Sequence, residues 1–179
     1  MTHLDQLALD NKNIDTILVL DFGSQYTQLI ARRIRELDVF SIILPWDISK
    51  ERIAELNPSG IILSGGPESV TNNNTPRIPE IIFDLEIPIL GICYGMQTLA
   101  EQFGGQVTPS KTKEFGHASI TIETACILFD GFDTGSSVDV WMSHGDHVST
   151  LPDQFNLIAS TPSAPIAAMA HNVKPIYAL

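Results

Sequence analysis

One short segment, residues 89–97 (ILGICYGMQ), limits what this chain can fold into more than any other. An apolar run stops there at Cys93, which stands between Gly91 and Gly95, and a helical pattern begins directly after it. A nucleophile at a sharp strand-to-helix bend needs small neighbours, because the bend residue has a strained backbone and the flanking residues pack closely. The spacing therefore predicts a nucleophile elbow with cysteine in the place of serine.

The elbow also predicts how Cys93 becomes reactive. Its side chain would be lifted clear of the sheet, and the backbone N–H of Tyr94 would point to where an oxyanion forms. The helix that follows would place the positive end of its dipole near the sulfur, which favours the thiolate. The alternative is a buried cysteine that acts only as a small hydrophobic residue. The flanking glycines favour the elbow.

The chain before this segment alternates apolar runs with helical patterns. Runs of strand length occupy residues 16–20, 40–44, 60–63 and 87–90, and helices are predicted at 25–37 (capped by Ser24), 49–56, 79–85 and 96–103. Continuous apolar runs are typical of strands buried on both faces. The alternation predicts an α/β fold, an open and mostly parallel sheet with helices on both faces. Functional residues gather at the carboxyl ends of such strands.

Residues 64–69 (SGGPES) follow the third apolar run and have three interpretations. A phosphate-binding loop would need a helix to start at once, but residues 70–76 have the composition of a loop. Alternatively, the two glycines let a backbone N–H approach the neighbouring strand end closely and complete an oxyanion hole. The third interpretation is an ordinary connecting loop. A predicted nucleophile nearby favours the oxyanion hole.

The second half of the chain changes pattern. Short strands are predicted at 117–123, 138–142, 156–160, 166–170 and 176–179, which indicates an antiparallel extension at one edge. Residues 141–147 (WMSHGDH) place polar groups after a predicted strand end, where they form either backbone contacts to a small charged ligand or a hairpin turn. Gln97 lies one helical turn beyond Cys93, where its amide can reach the same cleft or simply face solvent.

Composition narrows the functional classes. The 179 residues carry 21 acidic and 10 basic side chains, a formal net charge of -11, which argues against nucleic acid binding. Cys93 and Cys126 are far apart, so neither a disulfide framework nor a metal site is indicated, which fits a reducing cytoplasm. No apolar run approaches the ~20 residues that cross a bilayer. We expect one cytoplasmic domain at 16–179 after a loosely ordered leader at 1–15.

Four segments resemble one known family. They are residues 20–26 (LDFGSQY), 62–69 (ILSGGPES), 91–97 (GICYGMQ) and 141–146 (WMSHGD). These motifs are similar to those of GMP synthase glutaminase domains, which are class I, triad-type glutamine amidotransferases, and they occur in the family's order across nearly the whole chain. The resemblance implies a flavodoxin-like sheet with an antiparallel extension.

The family hydrolyses the side-chain amide of glutamine to glutamate and ammonia. By position, the resemblance makes Cys93 the nucleophile that forms a glutamyl thioester, and the backbone N–H groups of Gly66 and Tyr94 the oxyanion hole. It implies no metal or cofactor in this domain. In the full-length enzyme, expected to be a homodimer, ammonia passes to a synthetase domain that uses ATP and magnesium to aminate XMP to GMP.

The resemblance also implies which residues bind glutamine and where the catalytic base lies. Gln97 and the backbone around Ser143 and His144 would hold the amino-acid end of glutamine. Family members complete the triad with a histidine and a glutamate directly after the strand that corresponds to residues 176–179. We therefore expect a domain that lacks its C-terminal end, without its synthetase (ATP pyrophosphatase) and dimerisation domains. Neither His144 nor His147 is expected to replace the base.

Three functional interpretations follow. The first is a glutaminase domain whose isolated chain is nearly inactive, because general acid–base catalysis is typically worth about 10²- to 10⁴-fold. The second is a glutamine-binding or scaffold module that is not catalytic. The third is a cysteine hydrolase with another substrate on a similar sheet.

Overall fold

This computed structural model describes residues 15–179, with the side chains of residues 110–115 and 143–144 outside the description. The leader predicted at 1–15 therefore lies outside the described residues except for Asp15. The strands are β1 (Thr16–Asp21), β2 (Phe40–Pro45), β3 (Gly60–Leu63), β4 (Ile89–Gly91), β5 (Gln106–Ile122), β6 (Ser137–Thr150), β7 (Phe155–Ser160), β8 (Ala168–His171) and β9 (Ile176–Ala178). The helices are α1 (Thr27–Arg35), α2 (Lys50–Leu56) and α3 (Tyr94–Gln102), with 3-10 turns at Glu80–Asp84 and Ile127–Phe129.

The strands form one nine-stranded mixed sheet in the order β2-β1-β3-β4-β9-β8-β7-β5-β6. The first five strands in this order are parallel, and every pairing from β9 to β6 is antiparallel. The predicted α/β class, with a parallel sheet and an antiparallel extension, is confirmed. No helix among residues 15–179 is long and apolar enough to span a membrane.

The parallel strands form the core, as their apolar sequences predict. Leu18, Val19 and Leu20 in β1 are all fully buried, although side chains on successive residues point to opposite faces. Both faces of β1 are therefore covered. Such a sheet exposes only its strand ends, so the loops after β1, β3 and β4 meet at its carboxyl edge.

The last strand corrects one expectation. We placed residues 176–179 in the antiparallel extension, but β9 pairs in parallel with β4, where Ile89 lies opposite Ile176. Its other edge pairs antiparallel with β8. The strand is thus inserted beside the one that leads to Cys93. Its short length did not reveal this, because pairing direction depends on long-range packing.

A second correction concerns residues 141–147, which we expected after a strand end. The backbone from Ser137 to Thr150 is one long strand, β6, which pairs antiparallel with β5 across an irregularity between Pro109 and Glu114. The segment therefore lies within the edge strand. The side chains of Ser143 and His144 lie outside the described part of the chain, and only their backbone positions are known.

The start of α1 also differs from the expectation. Ser24 does not cap the helix, which begins at Thr27; the Ser24 hydroxyl instead accepts the N–H of Tyr26 at 3.0 Å. Asp21 organises the entry, because its Oδ1 accepts the N–H of Gly23 at 2.9 Å and the Thr27 hydroxyl at 2.7 Å. The helix predicted at 79–85 is a 3-10 turn.

Candidate active site

Cys93 occupies the sharp bend between β4 and α3. Its backbone has φ 50° and ψ -107°, a conformation that residues with a Cβ rarely adopt. Such a conformation costs about 1–3 kcal/mol and persists only where the surroundings enforce it. The strained bend predicted from the glycine spacing is therefore present.

The glycines on either side of Cys93 are required by close packing. A Cβ on Gly91 would lie 2.7 Å from Cδ1 of Leu99 and 2.9 Å from the carbonyl oxygen of Gly95. A Cβ on Gly95 would collide with the carbonyl oxygen of Leu63 at the end of β3. Side chains at these two positions would force α3 away from the sheet.

Backbone hydrogen bonds from two neighbouring strands hold the bend in place. The N–H of Ile92 donates to the carbonyl of Leu63 at 2.9 Å, and the N–H of Cys93 donates to the carbonyl of Leu179 at 2.8 Å. Leu179 follows β9 directly, so the elbow is fixed from both sides. Sequence reasoning missed Leu179, because an apolar residue at a strand end carries no signal of such a contact.

The glycine loop after β3 lies against the elbow. A Cβ on Gly65 would lie 3.5 Å from the Cβ of Cys93, and one on Gly66 would lie 2.6 Å from the carbonyl oxygen of Phe22. Glycine is therefore needed at position 66. Among the described residues, no protein group accepts the backbone N–H of Gly66 or of Tyr94.

The chain that continues from this loop is tied to α3. The Tyr94 hydroxyl donates to the carbonyl of Pro76 at 2.7 Å. The Gln102 amide binds both backbone groups of Ile78, accepting its N–H at 2.9 Å and donating to its carbonyl at 3.0 Å. Helix α3 thus also anchors residues 76–78, which follow the loop that carries Gly66.

A cavity of about 200 Å³ opens beside Cys93, between α3 and the antiparallel extension. Most of the described residues that line it are apolar, and those with polar or charged side chains, besides Cys93, are Gln97, Asp146 and His147. The Gln97 side chain is buried and donates to the backbone carbonyl of Asp146 at 3.0 Å. Gln97 therefore lines the same cavity as Cys93, and it joins α3 to the 141–147 segment.

Burial raises the pKa of the Cys93 thiol above its ordinary value. This direction is opposite to our expectation that the helix dipole would favour the thiolate. A helix terminus contributes about 0.3–1 kcal/mol at exposed sites, whereas burial opposes any isolated charge. In the described part of the chain no basic group offsets this effect. Cys93 therefore needs a partner that accepts its proton.

Histidine is the side chain that most often accepts such a proton. His3 and the side chain of His144 lie outside the described residues. His147 lines the cavity, but its Nδ1 is buried without a hydrogen-bond partner in the described chain. His117 and His171 do not line the cavity. Among the described side chains, none of the histidines hydrogen-bonds to Cys93.

The described residues also contain no group of three or more His, Cys, Asp or Glu side chains that could hold a metal ion. The Cys93 thiol and the backbone N–H groups of Gly66 and Tyr94 belong to adjoining segments. Such an arrangement suits attack of a thiol on a carbonyl carbon, because no acceptor among the described residues occupies these N–H groups.

Several curated proteins are similar to this chain in sequence. Residues 18–179 match the glutamine amidotransferase class-I family. A glutamine-hydrolysing GMP synthase of Teredinibacter turnerae is 55% identical over 173 residues, which cover 93% of this chain and 33% of that protein. The enzyme of the same name from Hamiltonella defensa is 55% identical over 174 residues, with the same coverage. The chain thus spans about a third of the length of these curated relatives.

Solved structures show the same fold. A protein from Thermoplasma acidophilum, described as part of a GMP synthase, superposes with a TM-score of 0.77 at 31% identity, over 93% of this chain and 82% of that one. A glutamine amidotransferase from Thermotoga maritima superposes with a TM-score of 0.71 at 21% identity, over 92% and 74%. With the cysteine elbow at the end of a parallel strand, these matches show that the chain belongs to the class-I glutamine amidotransferase family.

Proposed function

We propose that this chain is the glutaminase part of a GMP synthase, which hydrolyses glutamine and delivers ammonia for the amination of XMP. The observation that carries the proposal is Cys93, held in a strained bend next to the Gly65-Gly66 loop. The 55% identity to GMP synthases supports this choice among the amidotransferases.

In the proposed reaction Cys93 Sγ attacks the side-chain amide carbon of glutamine. A C–S bond forms, the π electrons move to the amide oxygen, and the N–H groups of Gly66 and Tyr94 donate to the resulting oxyanion. The C=O bond then re-forms and the C–N bond breaks, and the leaving nitrogen takes a proton to depart as ammonia. Water hydrolyses the thioester to glutamate and restores the thiol.

The protons in this reaction require a base and an acid. We propose that both roles belong to a histidine held by a glutamate, which we expect directly after residue 179. The raised pKa of the Cys93 thiol supports a need for such a base. The 179-residue chain by itself would then turn over glutamine about 10²- to 10⁴-fold more slowly than a chain that includes the pair.

We propose that the amino-acid end of glutamine lies along α3 and β6. Gln97 and the backbone around Ser143 and His144 would bind its ammonium and carboxylate groups. The hydrogen bond from Gln97 to the carbonyl of Asp146 supports this assignment, because it fixes the 141–147 segment against the cavity.

The remaining parts of the proposal concern the protein as a whole. The curated relatives are about three times as long as this chain. We propose that ammonia passes to a synthetase region, that ATP and magnesium act there, and that the full-length enzyme is a cytoplasmic homodimer. None of the steps described for Cys93 involves ATP or magnesium.

The test uses the full-length gene product that carries this chain. Cys93→Ala should abolish GMP formation from XMP with glutamine and leave GMP formation with added ammonium salt intact. Cys126→Ala is the matched control, because this second cysteine does not line the cavity, and it should keep both activities. Glutamine-dependent GMP formation that survives in Cys93→Ala would refute the proposal. So would an absence of GMP formation with either nitrogen source in the unaltered protein.

A further inference from the structure

Ser64 is a fully buried hydroxyl residue where β3 ends and the glycine loop begins. Its backbone N–H donates to the carbonyl of Leu20 at 3.0 Å, and its carbonyl accepts the N–H of Gly95 at 3.1 Å. Ser64 is therefore fixed between β1 and the cysteine elbow. It was not among the site residues expected from the sequence, although its place directly before two glycines was visible there.

The Ser64 hydroxyl makes two further hydrogen bonds whose directions are determined. It accepts the backbone N–H of Phe22 at 3.1 Å, since an N–H can only donate. Its own proton is then free for the carbonyl oxygen of Gly65, which lies 2.9 Å away and can only accept. The hydroxyl therefore holds the Gly65 carbonyl in one direction.

This carbonyl belongs to the same peptide group as the N–H of Gly66. In a planar trans peptide the two bonds point in opposite directions, and the described residues contain no cis peptide bond. Fixing the carbonyl thus fixes the N–H on the far side. Without such a contact a Gly-Gly peptide reorients easily, because glycine adopts positive and negative φ about equally well.

The peptide so fixed lies next to the nucleophile. A Cβ on Gly65 would lie 3.5 Å from the Cβ of Cys93, and the Gly66 N–H has no acceptor in the described chain. We propose that Ser64 is a positioning residue for the glutaminase reaction: its hydroxyl orients the Gly65–Gly66 peptide so that the Gly66 N–H points to the oxyanion. This inference rests on the proposed function.

The test compares Ser64→Ala with Ser41→Ala in the 179-residue chain. Ser41 is also buried, and its hydroxyl donates to the backbone carbonyl of Ala31 at 3.0 Å. The control removes a similar hydrogen bond from a strand outside the cavity. If the two variants lose the same thermal stability, that loss cannot explain a difference in their reactivity.

Two alkylating reagents separate positioning from general reactivity. A chloromethyl ketone analogue of glutamine carries its ketone oxygen where the amide oxygen would lie, and Cys93 Sγ displaces its chloride. Iodoacetamide also alkylates the thiol, but it lacks the amino-acid end of glutamine that would hold its carbonyl oxygen at that position. Ser64→Ala should lower the maximum rate with the ketone about 10-fold, less than the 10²- to 10³-fold typical of losing an oxyanion donor. Its half-saturating concentration and the iodoacetamide rate should not change.

The outcomes that would overturn the inference are distinct from those that would overturn the proposed function. An unchanged maximum rate in Ser64→Ala, an equal loss in Ser41→Ala, or a parallel loss with iodoacetamide would overturn it while leaving the proposed function intact. If the full-length gene product that carries this chain shows no saturable alkylation of Cys93 by the ketone, the proposed function fails and the inference fails with it. Should Ser64→Ala not fold, Ser64→Cys replaces it, because a thiol keeps the shape but donates weakly, and the same rate loss at the mapped Cys93 peptide is expected.

Discussion

The backbone N–H of Cys93 donates to the carbonyl of Leu179 at 2.8 Å, and the N–H of Leu179 donates to the carbonyl of Gly91 at 2.9 Å. The residue after β9 thus holds both Cys93 and the glycine two positions before it. Since β9 lies between β4 and β8, the position of Cys93 depends on a strand that is more than 80 residues away along the chain. The elbow is therefore a property of the assembled sheet as well as of its local sequence.

Replacing Gly95 by alanine should destabilise the protein. The added Cβ would collide with the carbonyl of Leu63, and overpacking of this kind costs typically about 1–3 kcal/mol. Gly145→Ala is the control, because a Cβ there meets no atom of the described residues within 4 Å. Urea unfolding followed by circular dichroism measures both variants. Equal stabilities for the two variants would contradict the packing described here.

The reactivity of Cys93 should depend steeply on pH. Burial places the pKa of its thiol above the ordinary value of 9.0, and only the thiolate is nucleophilic. In the 179-residue chain, the rate of iodoacetamide alkylation at the Cys93 peptide should still be rising at pH 9. A rate that levels off near neutral pH would show a proton acceptor that the described residues do not contain.

Acid should weaken the fold through His171. Its Nδ1 accepts the N–H groups of Val173 and Lys174, both at 3.0 Å, in the turn that leads to β9. Burial, with a smaller contribution from the Lys174 charge, lowers the pKa of this imidazole from 6.5. As pH falls below 6.5 the unfolded chain takes up the proton first, so this contribution to stability is full above that pH and is lost below it.

His171→Asn tests that prediction, because an amide oxygen keeps an acceptor near the Nδ1 position but does not titrate. Its unfolding midpoint should fall less between pH 7 and pH 5 than that of the unaltered chain. The same change at exposed His117 is the control and should leave the acid loss in place. Identical pH profiles for His171→Asn and the unaltered chain would rule out this role for His171.

The parallel half of the fold was predictable because its signals are local. Apolar runs such as 16–20 and the glycines around Cys93 each reflect a constraint within a few residues of themselves. The strained bend and the close approach of the Gly66 loop followed from the same glycines. The hydroxyl of Ser64 was visible in the sequence, but its hydrogen bond with the N–H of Phe22 joins two separate strand ends.

The antiparallel half was less predictable because its pairing depends on distant residues. The parallel pairing of β9 with β4 joins Ile176 to Ile89, and no local pattern marks the direction. The same holds for β6, where polar residues at 141–147 resemble a turn but continue a strand paired to β5. The predicted direction of the pKa shift at Cys93 was wrong, because burial raises this pKa and is not visible in the local sequence.

Mapping the alkylation of the 179-residue chain by the chloromethyl ketone analogue of glutamine tests whether Cys93 is the nucleophile of a glutamine site. We expect one modified residue, Cys93, with saturable kinetics and protection by glutamine but not by glutamate. Cys126 should stay unmodified at the same reagent concentration. Equal modification of both cysteines, or alkylation of Cys93 that glutamine does not slow, would contradict the assignment of Cys93 as the nucleophile of a glutamine site.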